Sequence, residues 1–396
     1  MQAAIIIKRD GHMGSNSHKE TQMVIGLDDG HDTNKVCLGW DCEAKAWRYG
    51  YHKSRAVEGL QQVMSMGGAD SAGGAYETEG KRYTVAGSQN LLQALDTRMA
   101  GYPLSELNRT LVTHSLASCG LGDTAVYLIT GLPVDQYYKN GAPNQELIGK
   151  KIESLAKPVS RIGKGPALAV IGGQSVVSEA TAAFYDALIQ HDGQYDAGIE
   201  AIITRRPVAV MDLGGKTTDL VVVAENVSSV YRDQSGTKDI GVLQLLDQVA
   251  EQIKSDFGLN DNPPLPHVEE ACRTKKYELF GEDVDVSHIV ESACKAYLER
   301  VKNFFVSKLR DGSTIGAVIF VGGGTALIRN ILGEEAFGTI FKGKRFIAVD
   351  PEFANARGMW KFGMYVLDEA ERTMQSPVET KSAQAKSARS STVEPV

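Results

Sequence analysis

Hydrophobic and polar positions alternate in two similar stretches of the chain, and each stretch contains a turn of aspartate and glycine. Residues 23–40, MVIGLDDGHDTNKVCLGW, give an apolar run, an acidic turn and a second run, and AWRYGYH at 46–52 is a candidate third strand. Residues 208–223, VAVMDLGGKTTDLVVV, repeat this plan, with SSVYRD at 228–233 as the third strand. Short apolar runs bounded by such turns predict a three-stranded meander in each half.

Helical periodicity follows each meander. After the second one, the apolar positions recur at the helical period of about 3.6 residues: Val242, Leu245, Leu246, Val249, Ile253 and Phe257. The corresponding helix of the first half is weaker, at 105–119, and buried strands are predicted at 124–134 and 167–173. A repeated meander with helices predicts an α/β protein built from two related domains.

Three further segments complete the predicted body. Residues 317–332, AVIFVGGGTALIRNIL, predict a strand, a turn of three glycines and a helix. Residues 176–189, VVSEATAAFYDALI, predict a helix with Glu179 in its first turn. The segment 259–310 predicts a smaller lobe of the second domain, with an apolar stripe that we assign to the core rather than to an interface; the stripe contains Ile289, Ala293, Tyr297, Phe304 and Phe305.

Composition narrows the class of protein. With 396 residues, 42% of them hydrophobic, the chain can bury the cores of two domains. No apolar run approaches the roughly 18 residues of a membrane span, and the first residues lack the features of a secretory signal. We therefore expect a cytoplasmic protein without membrane contact. Residues 1–21 are expected to be a flexible extension, and 375–396, rich in Ser, Lys and Ala, a disordered tail.

Charge and cysteine usage exclude two further kinds of site. The five cysteines form no C-x-x-C pair and no metal-binding spacing, so they are expected to be thiols in a reducing compartment. The net charge of −7 argues against direct binding of nucleic acid.

The Gly-Lys-Thr sequence at 215–217 raises the alternative of a Walker-type phosphate loop. That loop needs another glycine five positions before Gly215, where Val210 stands, so the spacing excludes it. An aspartate at the tip of a buried strand, beside amides freed by glycine, can instead hold a metal–phosphate group. Each motif alone has a plainer explanation, a common turn, but the repetition favours two halves of one clamp.

Glu179 and the three glycines also have plainer explanations. An acid in the first turn of a helix is favoured by the helix dipole, and a glycine turn between strand and helix is often only tight packing. Glycines also let backbone approach a ligand, and a helix N-terminus favours negative charge there.

The order of four motifs resembles the actin, sugar kinase and heat-shock chaperone ATPase superfamily: DDGHDTNK, SEATAAF, MDLGGKTTDL and VGGGTALI. The likeness extends over most of residues 23–370, and within it the chain is most similar to plasmid-encoded bacterial actins of the ParM/StbA type. Three more segments carry that closer resemblance, LITGLPVDQYYKNGAPN, DIGVLQLLDQVAEQI and FANARGMWKFG.

The resemblance implies an actin-like ATPase fold, in which two ribonuclease H-like domains flank a nucleotide cleft. Domain I is expected at 22–204 plus 353–372 and domain II at 205–352, with the smaller lobe at about 259–310. Both phosphate loops, the adenosine-side turn and the catalytic acid can then be assigned along the chain.

The implied site residues fall into four groups. Asp28, Asp29 and Gly30 match the first phosphate loop, and Lys35 matches the basic residue that reaches the phosphates. The second phosphate loop contains Asp212, Gly214, Gly215, Lys216 and Thr217, and the adenosine-side turn contains Gly322, Gly323 and Gly324. Glu179 matches the residue that positions or activates the attacking water, which overrides its interpretation as a cap. Asp28 and Asp212 are expected to bind Mg²⁺ through water and to share in catalysis with Glu179.

Two departures from the family pattern concern the loops themselves. Lys216 stands where threonine is more usual, and His31 and Asp32 replace the small hydroxyl residues often found after the first acidic turn. With these substitutions, the resemblance still implies ATP hydrolysis but does not indicate its rate.

The function implied by the resemblance is that of an ATP hydrolase that polymerises into filaments with ATP and segregates plasmid DNA. Its partners would be further copies of itself and a small DNA-binding adaptor, with no direct contact to nucleic acid. GTP is a possible alternative to ATP. A sugar or metabolite kinase, a chaperone-like ATPase and a non-hydrolysing structural actin relative are the alternatives.

Overall fold

The computed structural model describes residues 22–61, 74–85, 94–99 and 101–368. The predicted extension at 1–21 and the predicted tail at 375–396 lie outside the described residues.

The first half of the chain alternates strands and helices. In chain order its elements are β1 (Met23–Asp29), β2 (Thr33–Asp41), β3 (Ala46–Lys53), β4 (Ala56–Glu58), β5 (Ala75–Thr78), β6 (Lys81–Val85), α1 (Glu106–Ser118), β7 (Ala125–Leu132), α2 (Val134–Tyr137), β8 (Tyr138–Lys139), β9 (Ala142–Pro143), α3 (Gln145–Ala156), β10 (Ser160–Ile162), β11 (Val170–Ser178), α4 (Glu179–Leu188) and α5 (Ala197–Ile203).

The second half starts with a similar strand pair and contains the longest helix of the described chain. Its elements are β12 (Val208–Leu213), β13 (Thr218–Val223), β14 (Gly236–Lys238), α6 (Val242–Phe257), α7 (Leu265–Thr274), β15 (Lys276–Leu279), β16 (Glu282–Asp285), α8 (Ser287–Leu309), β17 (Ala317–Val321), α9 (Gly323–Leu332), β18 (Arg345–Ile347) and α10 (Ala354–Lys361).

Two five-stranded sheets have the same topology. Their strand orders are β11-β7-β1-β2-β3 and β14-β13-β12-β17-β18. In each sheet a central strand pairs antiparallel with the next strand along the chain and parallel with a strand that follows an intervening helical segment. The same plan twice is what the repeated pattern predicts, and the prediction of two related α/β domains is confirmed.

Helices α4 and α10 lie between the two sheets. Ala182 of α4 and Met359 of α10 pack in one core cluster with Val24 of β1. Ala180 and Phe184 of α4 pack in another cluster with residues of β12, β13 and β17. The two helices approach each other so closely that a Cβ added at Gly358 would meet the backbone of Ala182.

The alternation of side chains along the two central strands brings both acidic turns to this central layer. Side chains two residues apart on a strand share a face. Val24 and Asp28 of β1 therefore share one face, as do Val210 and Asp212 of β12. That face is the one covered by α4 and α10, whereas Ile25 and its neighbours point to clusters on the opposite side of the sheet.

Helices α6, α7, α8 and α9 cover the outer face of the second sheet. The apolar faces of α6 and α8 form one continuous core with that sheet. The stripe on α8 that we assigned to the core is buried throughout: Ile289, Ala293, Tyr297, Phe304 and Phe305. The predicted domain limits, 22–204 with 353–372 and 205–352, are kept as a proposal.

Two sequence predictions need correction. The strand predicted at 228–233 is wrong: only Val230 makes a bridge, to Val223, and the edge strand of the sheet is β14 instead. A 3₁₀ turn with left-handed backbone at Asn226 and Val227 comes directly before that segment, and a second 3₁₀ turn begins within it at Arg232. The strand predicted at 167–173 begins three residues later and continues to Ser178, because it pairs along the full length of β7.

Candidate functional site

The two acidic turns face each other across one cleft, and the first turn of α4 lies between them. A narrow cavity of about 50 Å³ is lined there by Asp28, Asp29, Gly30, Lys35, Glu179, Asp212, Gly214, Gly215, Lys216, Thr217, Gly322 and Gly323. It adjoins a wider cavity of about 690 Å³, which shares Gly30, Lys35, Gly215 and Gly323 with it and adds Gly324. The structure thus gathers every predicted site residue around one cleft, and the roles assigned to them stay predictions.

The wide cavity has the size of a ligand pocket, since such pockets typically measure roughly 300–1,000 Å³. Leu243, Leu246 and Leu327 supply an apolar wall, and Phe353 and Tyr51 supply aromatic rings. The N-terminus of α9 opens into it at Gly323, after Gly322 with a φ of 89°. The wide, apolar cavity leads into the narrow, polar cavity, and this combination suits a ligand in which a flat base is joined to a charged group.

The two turns have the same backbone arrangement. In the second turn, the amide of Gly214 donates to the carbonyl of Thr217 over 2.9 Å. A Cβ at Gly214 would meet that carbonyl, and a Cβ at Gly30 would meet the carbonyl of Thr33 in the same way. Only glycine fits at either position, so both turns depend on the same close approach of a glycine to the carbonyl three residues later.

The second turn is also tied to a helix. Amides of Val242 and Leu243, at the start of α6, donate to the carbonyls of Gly214 and Gly215 over 3.1 and 2.9 Å. These bonds satisfy amides that a helix start otherwise leaves unpaired.

The two turns differ in the residue that stands opposite each aspartate on the neighbouring strand. Asp28 faces Lys35, and their charged groups are 3.2 Å apart. Asp212 faces Asp219, so two acids stand side by side in the second domain. Burial acts to lower the pKa of Lys35, but the nearby carboxylates, Asp28 first, outweigh it and raise the pKa above its ordinary value.

Asp212 is the most unusual acid of the cleft. It is only 4% exposed, and its Oδ2 accepts a hydrogen bond of 2.7 Å from Asn355. Its Oδ1 is buried and has no hydrogen-bond partner among the described residues. Burial, with the charges of Asp219 and Asp28 adding to it, raises the pKa of Asp212 to about 7.

Glu179 begins α4 and lines the narrow cavity beside Asp28 and Asp212. Burial raises its pKa well above the ordinary value, and the charges of Asp28 and Asp219 raise it further. Gly131 lies against its side chain, where any Cβ would collide with the Glu179 methylene group. The carboxyl group is therefore held in place by packing and surrounded by like charge.

Asp29 lines the same cavity, but its carboxylate is already engaged. Lys151 approaches its two oxygens to 2.9 and 2.8 Å, and Asn108 donates to it over 2.8 Å. Lys151 is itself buried and also donates to the carbonyl of Gly131. The pair connects α1, α3 and β7 behind the first turn, and a direct role of Asp29 in ligand binding stays a prediction.

Lys216 and His31, which both depart from the family pattern, contact neighbouring residues of one segment, Thr97 and Arg98. Lys216 Nζ donates to the carbonyl of Arg98 over 2.8 Å, and the ring of His31 lies 2.7 Å from the carbonyl of Thr97. The side chain of Arg98 forms a 2.8 Å ion pair with Asp247 of α6. These contacts link the two domains above the narrow cavity.

Three charged or amide side chains that line the narrow cavity were not predicted from the sequence: Lys151, Asp219 and Asn355. The spacing of Ile148, Lys151 and Leu155 puts Lys151 on the buried face of α3, which is a detectable signal. Asp219 could have been found by counting across the β12–β13 turn to the residue opposite Asp212. Asn355 lies on α10, remote in sequence from its partner, and no local pattern indicates it.

Comparison with known proteins supports this architecture. A family model described as plasmid segregation protein ParM, N-terminal, matches residues 23–190, and one described as archaeal actin homologue MreB-like, C-terminal, matches residues 210–334. No curated protein matches the chain.

Solved structures show the same fold. A 15-stranded ParM filament from Clostridium botulinum is similar with a TM-score of 0.68 at 17% identity, covering 87% of this chain and 99% of that chain. An archaeal actin homologue in complex with ADP gives 0.65 at 18% identity, covering 89% and 100%. The first half of the chain is thus similar to ParM, the second half is similar to an archaeal actin homologue, and the fold throughout is that of actin-like proteins.

Proposed function

We propose that this chain is a cytoplasmic ATPase that polymerises with ATP and segregates plasmid DNA through a small DNA-binding adaptor. The observation that carries the catalytic part is the buried Oδ1 of Asp212, which has no hydrogen-bond partner among the described residues and belongs to a side chain that lines the cavity between the two glycine turns. A buried oxygen without a partner costs free energy, and a hydrated cation between the turns would satisfy it. The acidic surroundings fit such a cation.

Three residues of the narrow cavity are proposed to bind Mg²⁺ and phosphate. Asp212 and Asp28 hold Mg²⁺ through water, and Lys35 balances phosphate charge from the first domain. Bound Mg²⁺ supplies neutralisation of the phosphate oxygens. Among the described residues no three His, Cys, Asp or Glu side chains are grouped to hold a metal directly, which suits an ion that keeps several waters.

Glu179 is the group proposed to orient the attacking water. Burial, with the charges of Asp28 and Asp219 adding to it, raises the pKa of Glu179, and a cation nearby would favour its ionised form. The wide cavity receives the adenosine, with the start of α9 beside the phosphates.

The proposals of polymerisation and DNA segregation rest on the similarity of the first half of the chain to ParM. One similar structure is titled as a ParM filament, and a net charge of −7 suits a protein that reaches DNA through an adaptor rather than directly. No helix in the described part of the chain is long and apolar enough to cross a membrane.

The test is right-angle light scattering after addition of Mg-ATP, with phosphate release followed in the same sample. We expect scattering to rise with nucleotide and to decay as phosphate appears. If phosphate appears while scattering stays flat well into the micromolar range, the filament proposal is wrong. Transfer of phosphate to an added metabolite would instead support a kinase.

A further inference from the structure

Three hairpins in the described chain close with two residues in left-handed backbone, the geometry of a type I′ turn. Their central residues are Glu79-Gly80, Asn140-Gly141 and Phe280-Gly281, with φ values of 49° and 77°, 52° and 81°, and 53° and 87°. Glycine and asparagine adopt this backbone readily, whereas a bulky side chain is strained there.

In two of these turns, the residue itself or its contacts within the chain account for the left-handed backbone. Asn140 is the residue that such turns favour. Glu79 is held from outside its hairpin, because Arg109 and Lys157 contact its two carboxylate oxygens at 2.6 and 2.7 Å. Phe280 has neither advantage: its side chain is 94% exposed, so the ring contacts almost nothing within the chain. Strained backbone is concentrated at functional sites, and an exposed ring at such a position is available to a partner.

The strands next to Phe280 are acidic. Glu278, Glu282, Asp283 and Asp285 are exposed there, and Lys276 is the one basic residue of β15 and β16, 3.3 Å from Asp283. A partner of this hairpin should therefore offer an apolar spot surrounded by positive charge. We call β15, β16 and the Phe280 turn the acidic hairpin.

A surface of that kind lies at the other end of α8. Val306 is 46% exposed and precedes the exposed Arg310 by one helical turn. Arg205 and Arg206 are exposed at the end of α5, and the exposed Asp311 follows Arg310, so the three arginines outnumber the one acid. Arg206 reaches this end through a 3.3 Å hydrogen bond to the carbonyl of Ser313. We call Val306, Arg310, Arg205 and Arg206 the basic end.

The two surfaces are far apart on one molecule. The acidic hairpin joins the start of α8, where the amide of Val286 donates to the carbonyl of Lys275 and Lys275 pairs with Glu291 at 2.8 Å. Helix α8 has 23 residues and spans about 34 Å at the α-helical rise. Complementary surfaces at opposite ends of one copy can join successive copies head to tail without closing a ring.

We propose that the acidic hairpin of one copy of this chain docks on the basic end of the next copy, with Phe280 as the apolar anchor and the charges fixing orientation. The proposal rests on the proposed filament and names its contact. A buried aromatic at the centre of an interface often supplies much of the binding energy, and complementary charge supplies selectivity.

The first test is Phe280→Asn, which creates the Asn-Gly sequence that this turn favours. The variant should keep its thermal midpoint or exceed it and should bind nucleotide normally. Its critical concentration for nucleotide-dependent sedimentation should rise on the order of tenfold or more, the effect of losing an interface anchor. Val170→Thr, at a position 54% exposed on the first sheet, is the matched control and should polymerise normally.

The second test uses the polarity of the contact. Arg310→Glu should likewise raise the critical concentration, but it retains the acidic hairpin, whereas Phe280→Asn retains the basic end. An equal mixture with nucleotide should therefore give a 1:1 dimer in analytical ultracentrifugation, at concentrations where each variant alone is a monomer.

Three results decide the matter. Polymerisation of Phe280→Asn at the wild-type critical concentration, or a mixture without dimers, overturns the proposed contact and leaves the acidic hairpin for another partner such as the adaptor. If the wild type itself never sediments with nucleotide, the filament proposal fails first.

Discussion

Replacing Asp212 with asparagine should stabilise the protein when nucleotide and Mg²⁺ are absent. The pKa of Asp212 is raised from 3.8 to about 7. Each tenfold change in an acid dissociation constant corresponds to about 1.4 kcal/mol, so ionised Asp212 costs the folded state about 4 kcal/mol at pH 8. Asparagine keeps an oxygen for Asn355 but adds a donor that needs a partner, a penalty of about 1–3 kcal/mol. The net gain should be about 1–3 kcal/mol.

The sign of the pH dependence follows from the direction of the shift. Below pH 4 the acid is protonated in both the folded and the unfolded protein, and it has no effect. Between pH 4 and 7 the folded state binds more protons than the unfolded state, so stability falls as pH rises. Above about pH 7 the full cost is present. The Asp212→Asn variant should accordingly be more stable than the wild type at pH 8, whereas at pH 4.5 the gain should vanish or become a loss, because there the cost of ionised Asp212 is only about 1 kcal/mol.

Urea unfolding at these two pH values, without nucleotide and in a metal chelator, measures the effect. Asp261→Asn, a change at an exposed aspartate, is the control and should change stability little at either pH. Added Mg-ATP should then stabilise the wild type more than the Asp212→Asn variant. A variant that is no more stable than the wild type at pH 8 would falsify the proposed electrostatic strain.

Three further changes test the cleft and its supports. Glu179→Gln should retain nucleotide binding by titration but lose on the order of 10² in phosphate release, and unchanged release would remove Glu179 from its role. Lys151→Met leaves buried Asp29 without its cationic partner and should lower the free energy of unfolding in urea by about 3–5 kcal/mol. Adding Asp29→Asn to that variant should recover part of the lost stability. A loss below about 1 kcal/mol in Lys151→Met would contradict the importance of this ion pair. Gly358→Ala should cost about 1–3 kcal/mol because α4 and α10 must separate, whereas Gly149→Ala, in open space on α3, should gain up to about 1 kcal/mol.

The repeated pattern predicted the architecture because each half uses its strands in the same way. Asp28 and Asp212 could be located from sequence alone, since each ends a buried strand at a glycine turn. The third strand of the second meander could not, because Ser228–Asp233 has the composition of an edge strand and its backbone turns are decided locally by Asn226 and Val227. Short edge strands depend on context more than central ones do.

The site was predicted less completely than the fold. Local motifs identified residues that face the ligand, but the groups that hold them come from distant elements. Asn355, on α10, binds Asp212 from 143 positions away, and Lys151 reaches Asp29 from α3. Such pairings depend on how helices pack against a sheet, which no local window of sequence contains.

The two hydrogen bonds between the second phosphate turn and α6 make these parts one mechanical unit. Gly214 and Gly215 are bonded to Val242 and Leu243, the first residues of a helix that continues for 16 residues. Its far side packs against α7 and α8 in a single core. The second turn is therefore connected through α6 to the core on which the acidic hairpin is built, so a displacement of the turn would be passed on to the hairpin.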